Sequence, residues 1–249
     1  MFGGVYRNKR VLVTGHTGFK GSWLCKWLNH LGAEVFGYSL NPSTEPNHFD
    51  LSNPKVNSHI NNIQDFNSIR DFITKSEPEI IFHLAAQPLV IESYKEPLET
   101  FTTNVIGTAN ILEAARYVDT VKAVIIITTD KCYKNKECIH GYRETDELGG
   151  YDPYSASKAC TELVTESYKN SFFKNFIAFS PLKVTLHPIG IPNRIPKSRL
   201  VDFDKVRTGL HPLNFSRTVS ALANLSPASP TPILRTTLAI LNSFIGFIL

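Results

Sequence analysis

Residues 14–22 read TGHTGFKGS, with glycines at positions 15, 18 and 21. An apolar run over 10–14 precedes this stretch and predicts a buried strand, and apolar residues at helical spacing follow it over 20–31. Glycines between a strand and a helix are typical of a dinucleotide-binding turn: Gly15 permits the tight turn, Gly18 lets the backbone approach a pyrophosphate, and Gly21 lets the helix pack on the strand. The alternative is an ordinary glycine-rich turn with no ligand.

Strand and helix patterns alternate along the rest of the first 173 residues. Apolar or β-branched runs predict further strands, and amphipathic patterns predict further helices. The predicted strands are 34–40, 80–84 and 121–128, and the predicted helices are 66–75, 99–118 and 154–168. Residues 41–54, rich in Asn, Pro and Ser, predict a loop. Because strands alternate with helices, the predicted fold class is α/β, a Rossmann-like doubly wound parallel sheet.

The pattern ends at about residue 173. Residues 174–249 show no strand–helix alternation, and prolines recur through them. Residues 1–175 hold 18 basic and 20 acidic side chains, whereas residues 176–249 hold eight basic and two acidic ones. This loss of acids and of periodicity predicts a C-terminal lobe that is incomplete or unrecognisable, the product of truncation or of a shifted reading frame. A divergent but genuine lobe is the alternative.

Composition argues against several classes of protein. The basic residues of the tail are scattered singly, so no nucleic-acid partner is expected. No run of 18 uncharged apolar residues occurs, so no membrane partner is expected. The four cysteines show neither metal-binding spacing nor the density of a disulfide framework. They predict reduced thiols in a cytoplasmic protein without a bound metal.

Tyr154 and Lys158 form a pair that could carry proton chemistry. On the predicted helix 154–168 they are separated by four residues and lie on one face. A neighbouring ammonium favours phenolate, so we expect the pKa of Tyr154 to fall from about 10 towards neutrality, which would make it a general base for a hydroxyl. The alternative is a surface pair on a helix, without function.

Thr129, Asp130 and Lys131 follow the predicted strand 121–128 directly. Ligands bind at the carboxyl ends of strands in open parallel sheets, so an acid and a base placed there are suited to proton transfer. A solvated turn with Lys131 exposed is the alternative. The second strand ends near Ser39 without the acid that would bind the ribose of NAD and without an arginine that would favour NADP, so the sequence leaves this choice open.

Together these motifs resemble the extended short-chain dehydrogenase/reductase superfamily, in its branch of NAD-dependent epimerases and dehydratases. The resemblance is carried by the glycine turn, by the sequence HLAAQ at 83–87, by Thr103 and Asn104, and by the Tyr154/Lys158 pair. Within the branch, the Thr129-Asp130-Lys131 trio is similar to that of the CDP-glucose 4,6-dehydratases, since related dehydratases typically have Glu at the third position. Ile91 departs from this pattern, which has a basic residue there.

The resemblance implies the conversion of CDP-D-glucose to CDP-4-dehydro-6-deoxy-D-glucose with loss of water, a step towards lipopolysaccharide deoxysugars, with bound NAD as an internal hydride carrier. It implies that Tyr154 takes the proton from the 4-hydroxyl and that Lys158 holds the nicotinamide ribose. It further implies that Thr129 bonds the 4-oxygen, that Asp130 protonates the leaving 6-hydroxyl, and that Lys131 acts at C5. A nucleotide-sugar 4-epimerase and a non-catalytic NAD-binding remnant are the alternatives.

The resemblance also implies binding roles and an assembly. Residues 1–173 would form the NAD-binding domain, and two chains would form a homodimer through helices 99–118 and 154–168. Substrate contacts fall on Gln87, Ser93 and Asn104. Cofactor contacts fall on Gly15, Thr17, Gly18, Phe19, Gly21, Ser39, Asn62, Ile63, Leu84, Ala85, Ala86, Thr103, Tyr154 and Lys158.

Overall fold

A parallel sheet of six strands forms the centre of the protein. The computed structural model describes residues 4–137 and 141–173 and the backbone of 178–182. The strands lie in the order β3-β2-β1-β4-β5-β6, and every pair is parallel. They are β1 (Arg10–Thr14), β2 (Glu34–Ser39), β3 (Asn57–Ile60), β4 (Ile80–His83), β5 (Ala123–Ile127) and β6 (Ala178–Leu182). This order is that of the dinucleotide-binding folds and confirms the predicted α/β doubly wound class.

Helices connect the strands and cover both faces of the sheet. They are α1 (Phe19–His30), α2 (His48–Ser52), α3 (Phe66–Ser76), α4 (Val90–Lys95), α5 (Pro97–Phe101), α6 (Gly107–Ala115) and α7 (Pro153–Phe172). A π-helical turn, Thr102–Ile106, joins α5 to α6, and a 3-10 turn, Asp130–Cys132, follows β5. Asp65 and Asp152 cap α3 and α7 by accepting hydrogen bonds from backbone N–H groups of their first turns.

Alternating side chains of the strands pack into two apolar layers. In β1, Val11 and Val13 face α1, where they meet Leu24 and Leu28. Leu12 faces the opposite layer, which α3 and α6 cover with Ile69, Ile73, Ile111 and Leu112. Because successive side chains of a strand point to opposite faces, a strand buried on both sides is apolar throughout, as the sequence of β1 indicated.

Several elements differ from the sequence prediction. The edge strand β3 was not predicted, because its polar residues are largely exposed and show no apolar alternation. The helix predicted over 99–118 consists of α5, the π-helical turn and α6, with a change of helical type at Thr102. The short helices α2 and α4 form in stretches without a clear periodic pattern, α2 within the predicted loop.

At the carboxyl side of the chain, β6 pairs with β5 from Ala178 to Leu182 in a stretch where no element was predicted. The expectations about residues 183–249 and about Cys138 lie outside the described residues. Within the described part of the chain, none of the helices combines the length and apolar character that crossing a bilayer requires.

Candidate cofactor and acid–base site

The carboxyl edge of the sheet collects the residues that the motifs singled out. Because the strands are parallel, the segments that follow them meet at one edge. The glycine turn follows β1, Ser39 ends β2, residues 62–63 follow β3, residues 84–86 follow β4, and residues 129–131 follow β5. The chain runs from β1 to β2 on one side of β1 and, after β3, crosses back to β4 on its other side, which opens the crevice that ligands occupy in such sheets.

The glycine turn is built for close backbone approach. Gly15 has a φ of +73°, and a Cβ on it would lie 2.9 Å from the backbone nitrogen of Ala85. A Cβ on Gly21 would lie 2.1 Å from the carbonyl oxygen of Gly15, so α1 could not begin where it does with a larger residue. Gly18, the N-cap of α1, has no side chain to satisfy the first N–H groups, and the first turn carries no acidic residue. This helix end therefore fits a pyrophosphate.

At the end of β2, hydrogen bonds set the direction of the Ser39 hydroxyl. Thr17 donates its hydroxyl proton to the carbonyl oxygen of Leu40 at 2.8 Å. Thr17 Oγ1 also lies 2.8 Å from Ser39 Oγ, so Ser39 is the donor of that bond. Ser39 can then still accept a hydrogen bond, as from a ribose hydroxyl, but has no proton left for a phosphate. This geometry favours NAD over NADP, a choice that the sequence left open.

Three residues predicted to contact the cofactor, Ile63, Asn62 and Thr103, make contacts within the protein. The Ile63 side chain is buried, and α6 approaches it so closely that a Cβ on Gly107 would lie 2.8 Å from Ile63 Cγ2. Asn62 accepts a hydrogen bond from the Tyr38 hydroxyl through its carbonyl oxygen, at 3.1 Å. Thr103 donates to Glu99 at 2.9 Å. Their roles towards a cofactor stay predictions.

Hydrogen bonds to the Thr14 side chain hold the segment that follows β4. The backbone N–H groups of Leu84 and Ala85 both donate to Thr14 Oγ1, at 3.2 and 3.1 Å. The side chains of residues 84–86 are partly exposed at the crevice. Phe19, at the start of α1, is 56% exposed and meets the ring of His48 edge to face.

Tyr154 lies near Thr129 and Asp130, as expected, but its pKa does not move as predicted. Burial raises the pKa of the Tyr154 phenol, and the negative charge of Asp130 raises it further, while a hydrogen bond with Thr129 opposes them. The expected fall towards neutrality was wrong, because phenolate is poorly solvated here and faces a carboxylate. Tyr154 is therefore a phenol at neutral pH in the free protein.

Lys158 is buried, with 7% of its surface exposed, and donates to the carbonyl oxygen of Ile127 at 3.3 Å. Burial lowers the pKa of its ammonium from 10.5 to about 8, and the charge of Glu162 partly offsets this fall. A buried lysine that titrates near neutrality is typical of functional sites. The alternative reading of Tyr154 and Lys158 as an exposed surface pair is wrong.

The three polar residues of the turn after β5 differ in their contacts and in their exposure. Thr129 donates to Asp130 Oδ1 at 3.0 Å and caps the turn by accepting from the N–H of Lys131. Lys131 is exposed, and its charge lowers the pKa of Asp152, the N-cap of α7, although the Ser155 hydrogen bonds contribute more. Thr129, Asp130 and Tyr154 therefore converge, whereas Lys131 lies at the rim.

The side chains predicted to contact the substrate already form hydrogen bonds within the protein. Asn104 is buried: its Oδ1 accepts from the N–H of Gln87 at 2.8 Å, and its Nδ2 donates to Ser157 at 2.8 Å. The Gln87 side chain bonds Thr100 and the N–H of Leu89. Ser93 is buried and donates to the carbonyl oxygen of Val90. Substrate binding by these residues stays a prediction that the hydrogen bonds do not favour.

Sequence reasoning missed a set of buried polar residues behind the crevice. His83 bonds Thr14 and Thr108, and Glu162 accepts a hydrogen bond from Thr128. The sequence did contain a signal, namely polar residues at positions that are expected to be buried. Thr14 and His83 end strands that are otherwise mainly apolar, and Glu162 lies on the same face of α7 as Lys158. Among the described residues, no three His, Cys, Asp or Glu side chains gather in a way that could hold a metal ion.

Comparison with known proteins places this geometry in a family. The profile of the GDP-mannose 4,6-dehydratase family matches residues 12–179. The chain belongs to this family. The match begins within β1 and runs through α7, so it includes the glycine turn, the Thr129–Lys131 segment and the Tyr154/Lys158 pair.

Individual relatives of this dehydratase-family chain agree with the resemblance read from the motifs. A CDP-glucose 4,6-dehydratase of Salmonella typhimurium is 50% identical over 188 residues, which cover 75% of this chain and 51% of the relative. A CDP-paratose 2-epimerase of Salmonella typhi is 29% identical, over 68% of this chain and 56% of the relative. The chain thus spans about half the length of the curated relatives it matches.

Solved structures extend the likeness to the fold. The UDP-glucose 4-epimerase of Brucella ovis, determined in complex with NAD, superposes with a TM-score of 0.59 at 27% identity. The superposition covers 66% of this chain and 49% of the epimerase.

Proposed function

We propose that this chain carries the NAD-binding and acid–base half of a nucleotide-sugar 4,6-dehydratase acting on CDP-glucose. The observation that carries the proposal is the convergence of Thr129, Asp130 and Tyr154 on the crevice beside an uncapped glycine turn. The 50% identity to a CDP-glucose 4,6-dehydratase supports this substrate. Lys131 also supports CDP-glucose as the substrate, since related dehydratases have Glu at this position.

The crevice fits NAD on observations of its own. The uncapped end of α1 suits the pyrophosphate, and Ser39 would accept a hydrogen bond from a ribose hydroxyl but would have no proton to give to a phosphate. The NAD complex of the Brucella ovis epimerase supports the same cofactor. When bound, NAD would accept a hydride from C4 of the sugar and return it to C6.

The chain's own residues would move the protons. Tyr154 would take the proton of the 4-hydroxyl as a phenolate. The positive charge of Lys158 would favour that phenolate, which is needed because the raised pKa leaves Tyr154 a phenol at neutral pH in the free protein. Thr129 would hydrogen-bond the 4-oxygen. Asp130 would protonate the leaving 6-hydroxyl, and Lys131, as the neutral amine, would take the C5 proton. The C5 proton would return to C5 when the hydride reaches C6. The assignments then balance, since the proton that Tyr154 takes from the 4-hydroxyl replaces the one that Asp130 gives to the departing water.

Residues 1–173 would form the domain that binds NAD and carries these groups. A complete site also needs residues that hold the nucleotide and the far side of the sugar, because reacting groups must be positioned from both sides. The cytoplasm is the proposed location, supported by the free thiols of Cys25 and Cys160.

Incubation of the purified chain with CDP-glucose and NAD tests the proposal. The product is a 4-keto-6-deoxy sugar nucleotide, which absorbs in the ultraviolet in alkali. Replacing Lys131→Ala should abolish water elimination while sparing hydride transfer from C4, and the exposed Lys122→Ala is the matched control. Formation of CDP-galactose would instead identify an epimerase, and NAD binding at normal affinity without turnover would identify a non-catalytic remnant.

We also propose that two copies pair through the face formed by α6 and α7. Large apolar side chains are exposed on and beside these helices, with Ile106 at 51%, Leu163 at 59% and Leu98 at 81%. Exposed apolar residues that share one face are typical of an interface. Sedimentation of Leu163→Glu should show a monomer if the face pairs two chains, and an unchanged mass would contradict it.

A further inference from the structure

Helix α7 buries a third polar residue in line with Tyr154 and Lys158. Glu162 follows Lys158 by four residues, so the two side chains share a face of the helix. Only 4% of Glu162 is exposed, although glutamate is almost never fully buried unless it is paired. The face of α7 that carries Tyr154 and Lys158 therefore also places the carboxyl group of Glu162 in the core.

Glu162 joins α7 to the end of β5. The hydroxyl of Thr128, which is itself buried, donates to Glu162 Oε1. Thr128 directly precedes Thr129, the first residue of the polar turn. Lys158 contacts the same strand end through the carbonyl oxygen of Ile127. Lys158 and Glu162, one turn apart on α7, thus both contact the end of β5 that leads into Thr129.

The groups that surround Lys158 differ in their effect on its charge. Burial alone would favour a neutral amine at this position. His83, which faces it from β4, is neutral because burial and, to a smaller extent, the Lys158 charge lower its pKa to about 3. Tyr154, on the same face, is a phenol, and Asp130 faces Tyr154 from the turn after β5. Of these groups, Glu162 is the one whose negative charge acts on Lys158.

We propose that Glu162 is a positioning residue that keeps Lys158 protonated and ties the acid–base face of α7 to the strand end that carries Thr129. The functional consequence rests on the proposed function, since Lys158 acts there on Tyr154 and on the nicotinamide ribose. The ionic role itself is a property of the free protein and is tested without substrate.

The test is the pKa of the Lys158 ammonium, read from its side-chain resonances in protein labelled with carbon-13 lysine and assigned by their loss in Lys158→Met. We expect a value of about 8 in the unchanged protein. Glu162→Gln, which keeps size and removes charge, should lower it by about one unit or more. Glu162→Asp, which keeps the charge, should restore most of it. Glu166→Gln, at an exposed glutamate one turn along α7, should leave it unchanged.

Each outcome decides the proposal. An unchanged Lys158 pKa in Glu162→Gln, with only a lower melting temperature, would show a structural role and overturn it. If Glu162→Gln does not fold, the unchanged protein gives the answer. The carboxyl carbon of Glu162 should then shift in the pH range where Lys158 titrates, and the absence of that shift would overturn the proposal.

Measurement of enzyme activity is a test separate from the Lys158 titration. If the chain turns over CDP-glucose, the alkaline fall of kcat/KM, which reports ionisations of the free protein, should move to lower pH in Glu162→Gln and stay in place in Glu166→Gln. A chain without turnover would contradict the proposed function and leave the Lys158 titration as the decisive readout for Glu162.

Discussion

The Nδ1 atom of His83 lies 2.7 Å from the hydroxyl of Thr14, the residue before the glycine turn. On the other side of the ring, Nε2 lies 3.1 Å from Thr108 Oγ1, and Thr108 donates its own proton to the carbonyl oxygen of Asn104. Thr108 must therefore accept from Nε2–H, which leaves Nδ1 to accept from Thr14. The ring is neutral and its tautomer is set by these bonds.

We predict that His83 makes the protein sensitive to acid. Burial holds the pKa of His83 at about 3, whereas the unfolded chain binds a proton at about 6.5. Below pH 6.5 the unfolded state takes up more protons, so the free energy of unfolding falls as the pH falls. His83→Gln should remove about 2 kcal/mol of the loss between pH 7 and pH 5, measured by urea unfolding.

His30→Gln is the control, because His30 is exposed on α1. His16, whose pKa burial lowers to about 4, should behave like His83. Equal pH slopes in His83→Gln and the unchanged protein would contradict the buried neutral ring.

We predict that alanine at Gly15 costs far more than alanine at Gly4. Both glycines have a φ of +73°, but a Cβ on Gly4 meets open space and a Cβ on Gly15 meets the Ala85 backbone. Gly4→Ala therefore measures backbone strain alone, about 1 kcal/mol of unfolding free energy. Gly15→Ala adds a collision and should cost about 3 kcal/mol.

Calorimetric titration with NAD accompanies this comparison. Gly15→Ala should lose binding, since the turn can no longer lie against residues 84–85, and Gly4→Ala should keep it. Equal stability losses in the two variants would mean that the turn adjusts without cost.

We predict that Asn104 is a structural centre. Its side chain bonds Gln87 and Ser157, and its carbonyl oxygen accepts from Thr108 and Thr161. Asn104→Ala leaves buried groups on Gln87 and Ser157 without their partner and should cost about 3 kcal/mol. The exposed Asn170→Ala should cost less than about 0.5 kcal/mol. A fully stable Asn104→Ala that lost only substrate affinity would restore the role that the family resemblance implied.

We predict that NADP binds at least about tenfold more weakly than NAD, a difference of about 1.4 kcal/mol. The reason is the direction of one proton, which Ser39 gives to Thr17. Thr17→Val frees that proton and should narrow the ratio of the two dissociation constants. The exposed Thr44→Val should not change the ratio, and an equal ratio in all three proteins would exclude this mechanism.

Local patterns in the chain were sufficient for the class of the fold and for the location of its site. The glycine turn between a strand and a helix predicted β1 and α1 within one residue, because apolar runs and helical periodicity are properties of neighbouring residues. The same rule placed Thr129–Lys131 at a strand end. It failed for β3, whose exposed polar residues pair through the backbone and leave no side-chain pattern.

The sequence by itself determined the alternation of strands and helices, the ligand-binding edge, and the residue types that meet there, since each is written in local spacing. Only the tertiary structure decided their protonation and their partners. Spacing placed an ammonium beside Tyr154 and so predicted an acidic phenol. Folding instead buried that phenol near Asp130 and buried Lys158 in the core, where its pKa falls. Solvation and charge depend on groups that are distant in the chain and near in space, and no local pattern carries them.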